Sequence, residues 1–344
     1  MPDRTSGRLR AALTTLAALA LAAGCGVAGT PPSTEQAAGS WSPTGPRTIE
    51  AIDDPVRPLP APAPALPATV TSADQVEVTV TDVSRILAVD LYGTFAEIVF
   101  SLGMGGNVVG RDVASGFEEA AHLPVVTGSS HALNVESILA LDPTVVLTDT
   151  SVGPPEVFDQ LRAAGIPVVF LDPERTLAGI DDHIRAVAAA LGVPAAGEEL
   201  IARTDAEIAE ARALAPTDGT GPRVAFLYVR GTAGVYLLGG PGSGADALIE
   251  AVGAQDAGTT IGLDRSFTPI TSEGMINAAP DVLLVMSAGL RSIGGIDALV
   301  GIPGIGQTPA AATRSVIDAS DTQLLSFGPS TAGTITRLAN ALYS

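Results

Sequence analysis

Asn134-Val135-Glu136-Ser137-Ile138-Leu139-Ala140-Leu141-Asp142-Pro143-Thr144-Val145-Val146-Leu147 is a helix with a buried strand directly behind it. Asn134 is a favoured N-cap for a helix running to Leu141, and Thr144 to Thr148 is a short strand rich in β-branched residues. The same alternation continues on both sides. Upstream, Ile86 to Val89 predicts a strand, Phe95 to Leu102 a helix after Tyr92-Gly93-Thr94, and Val108-Val109-Gly110 a second strand. Downstream, Gly153-Pro154-Pro155 opens a helix to Ala164, Gly165 stops it, and Ile166 to Leu171 is a fourth strand. Near-continuous Val/Ile/Leu runs joined by helices indicate a parallel sheet covered on both faces.

The pattern then changes. Ile180 to Leu191 and Ala195 to Leu214 predict two helices broken at Gly192-Val193-Pro194. The βα pattern restarts at Arg223 to Tyr228, continues through a Gly244 to Val252 helix and a Val282 to Met286 strand, and closes with a helix after Gly328. The expected fold class is therefore α/β: an N-terminal lobe over 76–177, a helical connector over 178–215 and a C-terminal lobe over 216–344. Two such lobes leave a cleft, and domain interfaces are favoured sites for small ligands.

Ahead of this lies a different kind of chain. Arg4, Arg8 and Arg10 precede the apolar run Ala11 to Ala23, which predicts a signal peptide over 1–24 and is short for a membrane span of ~20 residues. It ends in Leu21-Ala22-Ala23-Gly24-Cys25, similar to a bacterial lipobox but with Ala22 at the position where leucine is usual. Cys25 is the only cysteine, so it has no disulfide partner in the chain, and lipidation would hold the protein at the outer face of the cytoplasmic membrane. Residues 25–75, rich in Pro, Ala, Ser and Thr, are expected to be an extended tether that carries the lone Trp41.

Composition excludes several functions. The net charge of −19 leaves no basic footprint for nucleic acid. All 18 basic residues are arginine, which removes the lysine of Schiff-base enzymes, Walker A loops and kinases. This lysine-free, Ala- and Gly-rich usage suggests a high-GC Gram-positive source. The three histidines, His122, His131 and His183, are too scattered for an evident zinc cluster.

The chain resembles the class III periplasmic-type binding proteins over about 76–344. The resemblance is carried by Gly93-Thr94-Phe95-Ala96-Glu97-Ile98-Val99, by the helix–strand segment quoted first, and by Leu161-Arg162-Ala163-Ala164-Gly165-Ile166-Pro167-Val168-Val169. It implies two Rossmann-like lobes joined by one long α-helix. Tyr228-Val229-Arg230-Gly231-Thr232-Ala233-Gly234-Val235-Tyr236, with His131 ahead of the Asn134 helix, is similar to the haemin-binding lipoproteins of HmuT type. That resemblance implies haem as transported ligand, His131 and Tyr228 as axial ligands of its iron, and Arg230 hydrogen-bonded to the phenolic oxygen. It also implies partners: an ABC permease dimer with its ATPase, docked through Glu136 and Glu250 on a monomeric binding protein.

The residues support part of this on their own chemistry. Tyr228 and Arg230 lie two apart on a strand and so point the same way, at the strand's carboxyl end where ligand crevices form. A tyrosinate is a suitable donor for ferric iron, and a nearby guanidinium favours the anion. Met286, closing its strand, could reach the cleft, with Tyr236, Phe117 and Phe267 as further wall candidates. Taken singly, each has a plainer reading: His131 as a loop histidine, Tyr228 as a core tyrosine, Arg230 as partner of one of the 37 carboxylates, Glu136 as a first-turn acid. A ferric siderophore or corrinoid carrier on the same fold remains open. A metal-ion carrier would need clustered ligands and an enzyme a nucleophile–base pair; the sequence offers neither.

Overall fold

The apolar runs become strands: β1 Arg47–Ile49, β2 Ala68–Thr71, β3 Glu77–Val80, β4 Ile86–Val89, β5 Val108–Gly110, β6 Val145–Thr148, β7 Val168–Phe170, β8 Arg223–Arg230, β9 Val235–Gly239, β10 Gln255–Asp256, β11 Phe267–Pro269, β12 Val282–Met286 and β13 Val316–Ala319. The computed structural model describes Trp41 and residues 45–52, 56–128, 131–216 and 221–344, all within the unit 38–344. The predicted signal peptide and Cys25 lie outside the described residues.

The N-terminal sheet is parallel, in the order β5-β4-β6-β7. The C-terminal sheet runs β1-β13-β12-β8-β9-β11, with β10 beside β8. Its centre is parallel, and the β8–β9 hairpin and β11 are antiparallel. Strand alternation divides the core. Ile86 and Ala88 of β4 and Val224 and Phe226 of β8 face one hydrophobic core shared by both lobes. Leu87 and Val89 face a second core in the N-terminal lobe, and Ala225, Leu227 and Val229 a third in the C-terminal lobe. Burial on both faces is what continuous apolar runs require.

The connector is one helix, Pro194–Arg212, with Pro194 at its first turn. It packs on the C-terminal helix Thr331–Tyr343. The preceding helix, Ile180–Ala190, packs on the connector and also on the helix Thr94–Val99 and on β2.

The tether reading is corrected. From residue 45 the described chain is part of the fold: β1 pairs with β13 as the edge of the C-terminal sheet, and Val56 and Leu59 are buried. The proline-rich stretch is extended, as expected, but anchored, because its non-proline residues donate to the lobe. Leu59 N–H donates to Ser101 O at 2.9 Å and Ala65 N–H to Gly192 O at 2.8 Å. Trp41 packs against the shared core.

Candidate ligand-binding site

Both sheets end in loops facing a cleft, and the two sets of loops are built differently. In the N-terminal lobe the residue after β4, Asp90, accepts from Tyr92 N–H at 2.8 Å and Phe95 N–H at 2.9 Å. It thereby tethers the turn into the helix Thr94–Val99. Gly93 holds φ 77° in that turn, and a Cβ there would meet Ser115 and Ala114 at 3.1 Å, so glycine suits it on both counts. Asp112, after β5, accepts from Asp90 N–H at 3.0 Å and Ser115 N–H at 2.6 Å. Burial, then the Asp90 charge, pushes its carboxyl up to about 7. Arg175 pairs with Asp149, after β6, at 2.5 Å and with Asp90 at 3.5 Å. Its guanidinium lies 4.7 Å from the Phe95 ring centroid. His183 joins this buried group: Nε2 lies 3.0 Å from Asp172 O, an acceptor only, so the ring is protonated there. Burial, then Arg175, lowers the pKa of His183, so it is a neutral structural residue.

Tyr92 and Phe117 present aromatic surface from this lobe to a cavity of about 420 Å³, lined from the other lobe by Gln323 and Ser326 and also by Ile52. Burial raises the Tyr92 phenol, and the groups acting on it include Tyr228 from the opposite lobe. Sequence reasoning passed over Tyr92 because a tyrosine in a turn carries no periodic signal.

In the C-terminal lobe, β8 brings Tyr228 and Arg230 to its carboxyl end, both half-buried. The Arg230 guanidinium lies over the Tyr228 ring, 4.7 Å from its centroid, and Phe267 meets the same ring edge-on at 5.8 Å. The expected bond from Arg230 to the phenolic oxygen is absent from the hydrogen bonds of the described residues. Arg230 Nη2 donates instead to Asp321 at 2.7 Å and lies 3.3 Å from the Met286 sulfur, while Nη1 donates to Val229 O at 2.9 Å. Competition explains the difference: a carboxylate is a better acceptor for a guanidinium than a neutral phenol. Met286, expected to reach the cleft, is buried against the guanidinium. Tyr236 is not. The hairpin register pairs Tyr236 with Val229 and Leu237 with Tyr228, so Tyr236 shares the opposite face with Val229 and the third core.

His131 lies in the loop leading to the helix Val135–Ala140, at φ 60°. The loop is tied to the strand-end region by the Ala132–Gly153 bridge and by Leu133 N–H to Gly153 O at 2.7 Å. Burial lowers the pKa of His131, and its Nδ1 meets no partner among the described residues. A neutral imidazole is the form that ligates a metal. The two expected axial ligands thus stand on different lobes. His122 is exposed. Glu136, in the first turn after the Asn134 cap, and Glu250, in the last turn of the helix Ala245–Ala251, are exposed on opposite lobes.

Two α/β lobes, one bridging helix and a cleft at the strand ends define a bilobal binding protein. Residues 89–322 match the family model described as Periplasmic binding protein, and the chain belongs to that family. Among solved structures it is similar to the heme binding protein HmuT, at 42% identity and TM-score 0.80, over 88% of this chain and 99% of that one. HmuT has also been solved with an arginine, a histidine or a tyrosine replaced by alanine. The periplasmic heme-binding protein RhuT from Roseiflexus sp. RS-1 is 41% identical, with TM-score 0.69, over 75% of this chain and 98% of that one. A cobalamin-binding protein of Halobacterium salinarum is 26% identical over 260 residues, 74% of this chain and 69% of its own length.

Proposed function

We infer that this chain is the extracytoplasmic haem-binding component of an ABC importer, delivering haem to a permease for iron acquisition. The observation that carries the reading is Tyr228: a half-buried phenol at the carboxyl end of β8, under a guanidinium and near Tyr92, which lines the cavity between the lobes. The likeness to heme-binding proteins over 88% and 75% of the chain supports it. In this reading Tyr228 ligates the iron from one lobe and His131 from the other, and Phe267 packs at the ligand's edge. Arg230 supplies positive charge beside the phenol, and Met286 supports the guanidinium from below. Tyr236 takes no part.

The anchor and the docking contacts belong to the same proposal. Cys25 carries the lipid, and no helix among the described residues is long and apolar enough to cross a membrane. Glu136 and Glu250, one exposed carboxylate per lobe, meet the permease and serve orientation and association rate more than affinity. The protein acts as a monomeric carrier and performs no chemistry on its cargo.

The test is a haemin titration of residues 26–344 followed by absorption, with Tyr228→Ala and His131→Ala alongside. A saturable Soret band that shifts in both variants is expected. With no saturable band in the unaltered protein the haem reading fails. The cobalamin-binding relative makes a corrinoid the next ligand to titrate.

A further inference from the structure

β1 stands at the edge of the C-terminal sheet, and its direction decides where the chain goes next. It runs parallel to β13, with Ile49 level with Ala319. Ala319 is level with Met286 on β12, and Val285 with Leu227 on β8. β1 therefore ends in the row of the sheet that holds Tyr228, at the edge where such sheets bind ligands. Three strand spacings, roughly 14 Å, separate the two strands. Just past β1, the half-buried Ile52 lines the cavity between the lobes together with Tyr92 and Phe117. Both of its backbone polar groups are fixed by one side chain. Ile52 N–H donates to Gln323 Oε1 at 3.0 Å, and Gln323 Nε2 donates to Ile52 O at 3.4 Å. Behind it the helix Thr331–Tyr343 offers Gly333, where a Cβ would come within 2.9 Å of Ile52 Cδ1. The residues that the C-terminal lobe itself gives to this cavity, Ser320, Thr322, Gln323, Ser326 and Ser330, are all polar.

We propose that Ile52 is a ligand-contacting residue: it gives the cavity an aliphatic wall on the side of the C-terminal lobe, against the rim of the bound macrocycle. The proposal rests on the reading of the cargo as haem. Sites for largely apolar cofactors are lined mostly by hydrophobic and aromatic side chains. Tyr92 and Phe117 meet that need from the N-terminal lobe, whereas hydroxyls and an amide on the other side would have to shed water for an apolar ring. Ile52 supplies the missing apolar surface. The distance between β1 and β8 puts it at the periphery of a ligand held by Tyr228, away from the iron. Gln323 commits both ends of its amide to Ile52, so the wall stands in place before the ligand arrives and binding need not order it. The stretch of chain that precedes both lobes is then part of the binding site as well as part of the fold.

The test uses residues 26–344 with isotope-labelled isoleucine methyl groups, loaded with gallium protoporphyrin as a diamagnetic stand-in for ferric haem. The Ile52 methyl signal, assigned by its loss in Ile52→Leu, should be displaced by the porphyrin ring current, while that of the buried Ile49 stays in place. Ferric haem release to excess apomyoglobin should be faster by about tenfold in Ile52→Ala, the scale of a partly buried aliphatic side chain. Ile52→Leu, which keeps an aliphatic wall, should release haem close to the original rate. Thermal melting of the ligand-free proteins runs in parallel, because a merely structural residue would change the melt and leave the methyl signal where it is on loading. An Ile52 methyl that does not move, or an unchanged release rate in Ile52→Ala, overturns the proposal, whatever the melt does, while the haem reading survives. Absence of a Soret band in the unaltered chain removes both, and is read before any variant is made.

Discussion

The two lobes place ion pairs of nearly equal length at the carboxyl ends of their sheets, and the pairs differ in everything that surrounds them. Arg175 and Asp149 meet at 2.5 Å with side chains 6% and 0% exposed. Arg230 and Asp321 meet at 2.7 Å with 27% and 26% exposed. The first pair is enclosed by Asp90, Asp112 and the Phe95 ring and stitches loops of one lobe to each other. The second is partly exposed and lies against the tyrosine that the ligand reading depends on. Strand ends are where α/β sheets bind ligands; here one lobe encloses its ion pair and the other leaves its ion pair partly exposed.

The largest expected effect comes from breaking the closed side. Asp149→Ala removes the nearer partner of a buried guanidinium that cannot shed its charge, and such losses cost about 3–5 kcal/mol. Urea unfolding measures it. A change below about 1 kcal/mol would mean that Asp90 takes over the pairing and that the closed network is redundant.

A somewhat smaller effect concerns Glu97, the N-terminal lobe carboxylate that faces the other lobe. It accepts from Ser330 N–H at 2.6 Å, and a Cβ on Gly328 would lie 3.0 Å from its oxygens. Burial first, and the Asp90 charge in addition, push its carboxyl up to about 7 from an ordinary 4.5. The folded chain therefore holds this proton more tightly than the unfolded chain. Stability should fall as pH rises from about 4.5 to about 7 and level off above, a loss of roughly 3 kcal/mol from this group. Asp112, raised to about 7, acts in the same direction. Melting temperature against pH shows the slope, and Glu97→Gln should flatten it and raise the melting temperature at pH 8. A slope that survives the substitution unchanged assigns the effect to Asp112.

How far the sequence carries the reader also differs between the lobes. In the N-terminal lobe the runs around Ile86, Val108, Val145 and Val168 are apolar, β-branched and separated by recognisable helices, and their strands fall where periodicity places them. The acids of the closed network had a signal too: Asp90, Asp112 and Asp149 each stand one or two residues past a buried strand. In the C-terminal lobe, β8 and β12 were legible, but β13, Val316–Ala319, is four residues in a Gly- and Ala-rich stretch with no period to follow. Without β13 the sequence offers no route from Arg230 to Asp321 in particular, and the bond to the phenol is what the family resemblance implies. Tyr236 was misplaced because a strand's face depends on hairpin register, which the Gly231–Gly234 turn sets and side-chain pattern alone does not. The tether was misjudged because proline-rich composition predicts extension correctly and says nothing about whether the extended chain is pinned.

The smallest expected effect tests the comparison at its root. Asp321→Asn should change stability by only about 0–1 kcal/mol, because water at the cleft screens the pair and solvates either partner when the other is gone. That small difference should shrink further at high salt, whereas the cost of Asp149→Ala should hardly respond, since ions do not reach the enclosed pair. Urea midpoints of both variants at low and high salt decide it. If the two pairs cost the same and respond alike to salt, burial is not what separates the lobes. If they diverge, the open pair is free to serve the ligand because the fold does not depend on it.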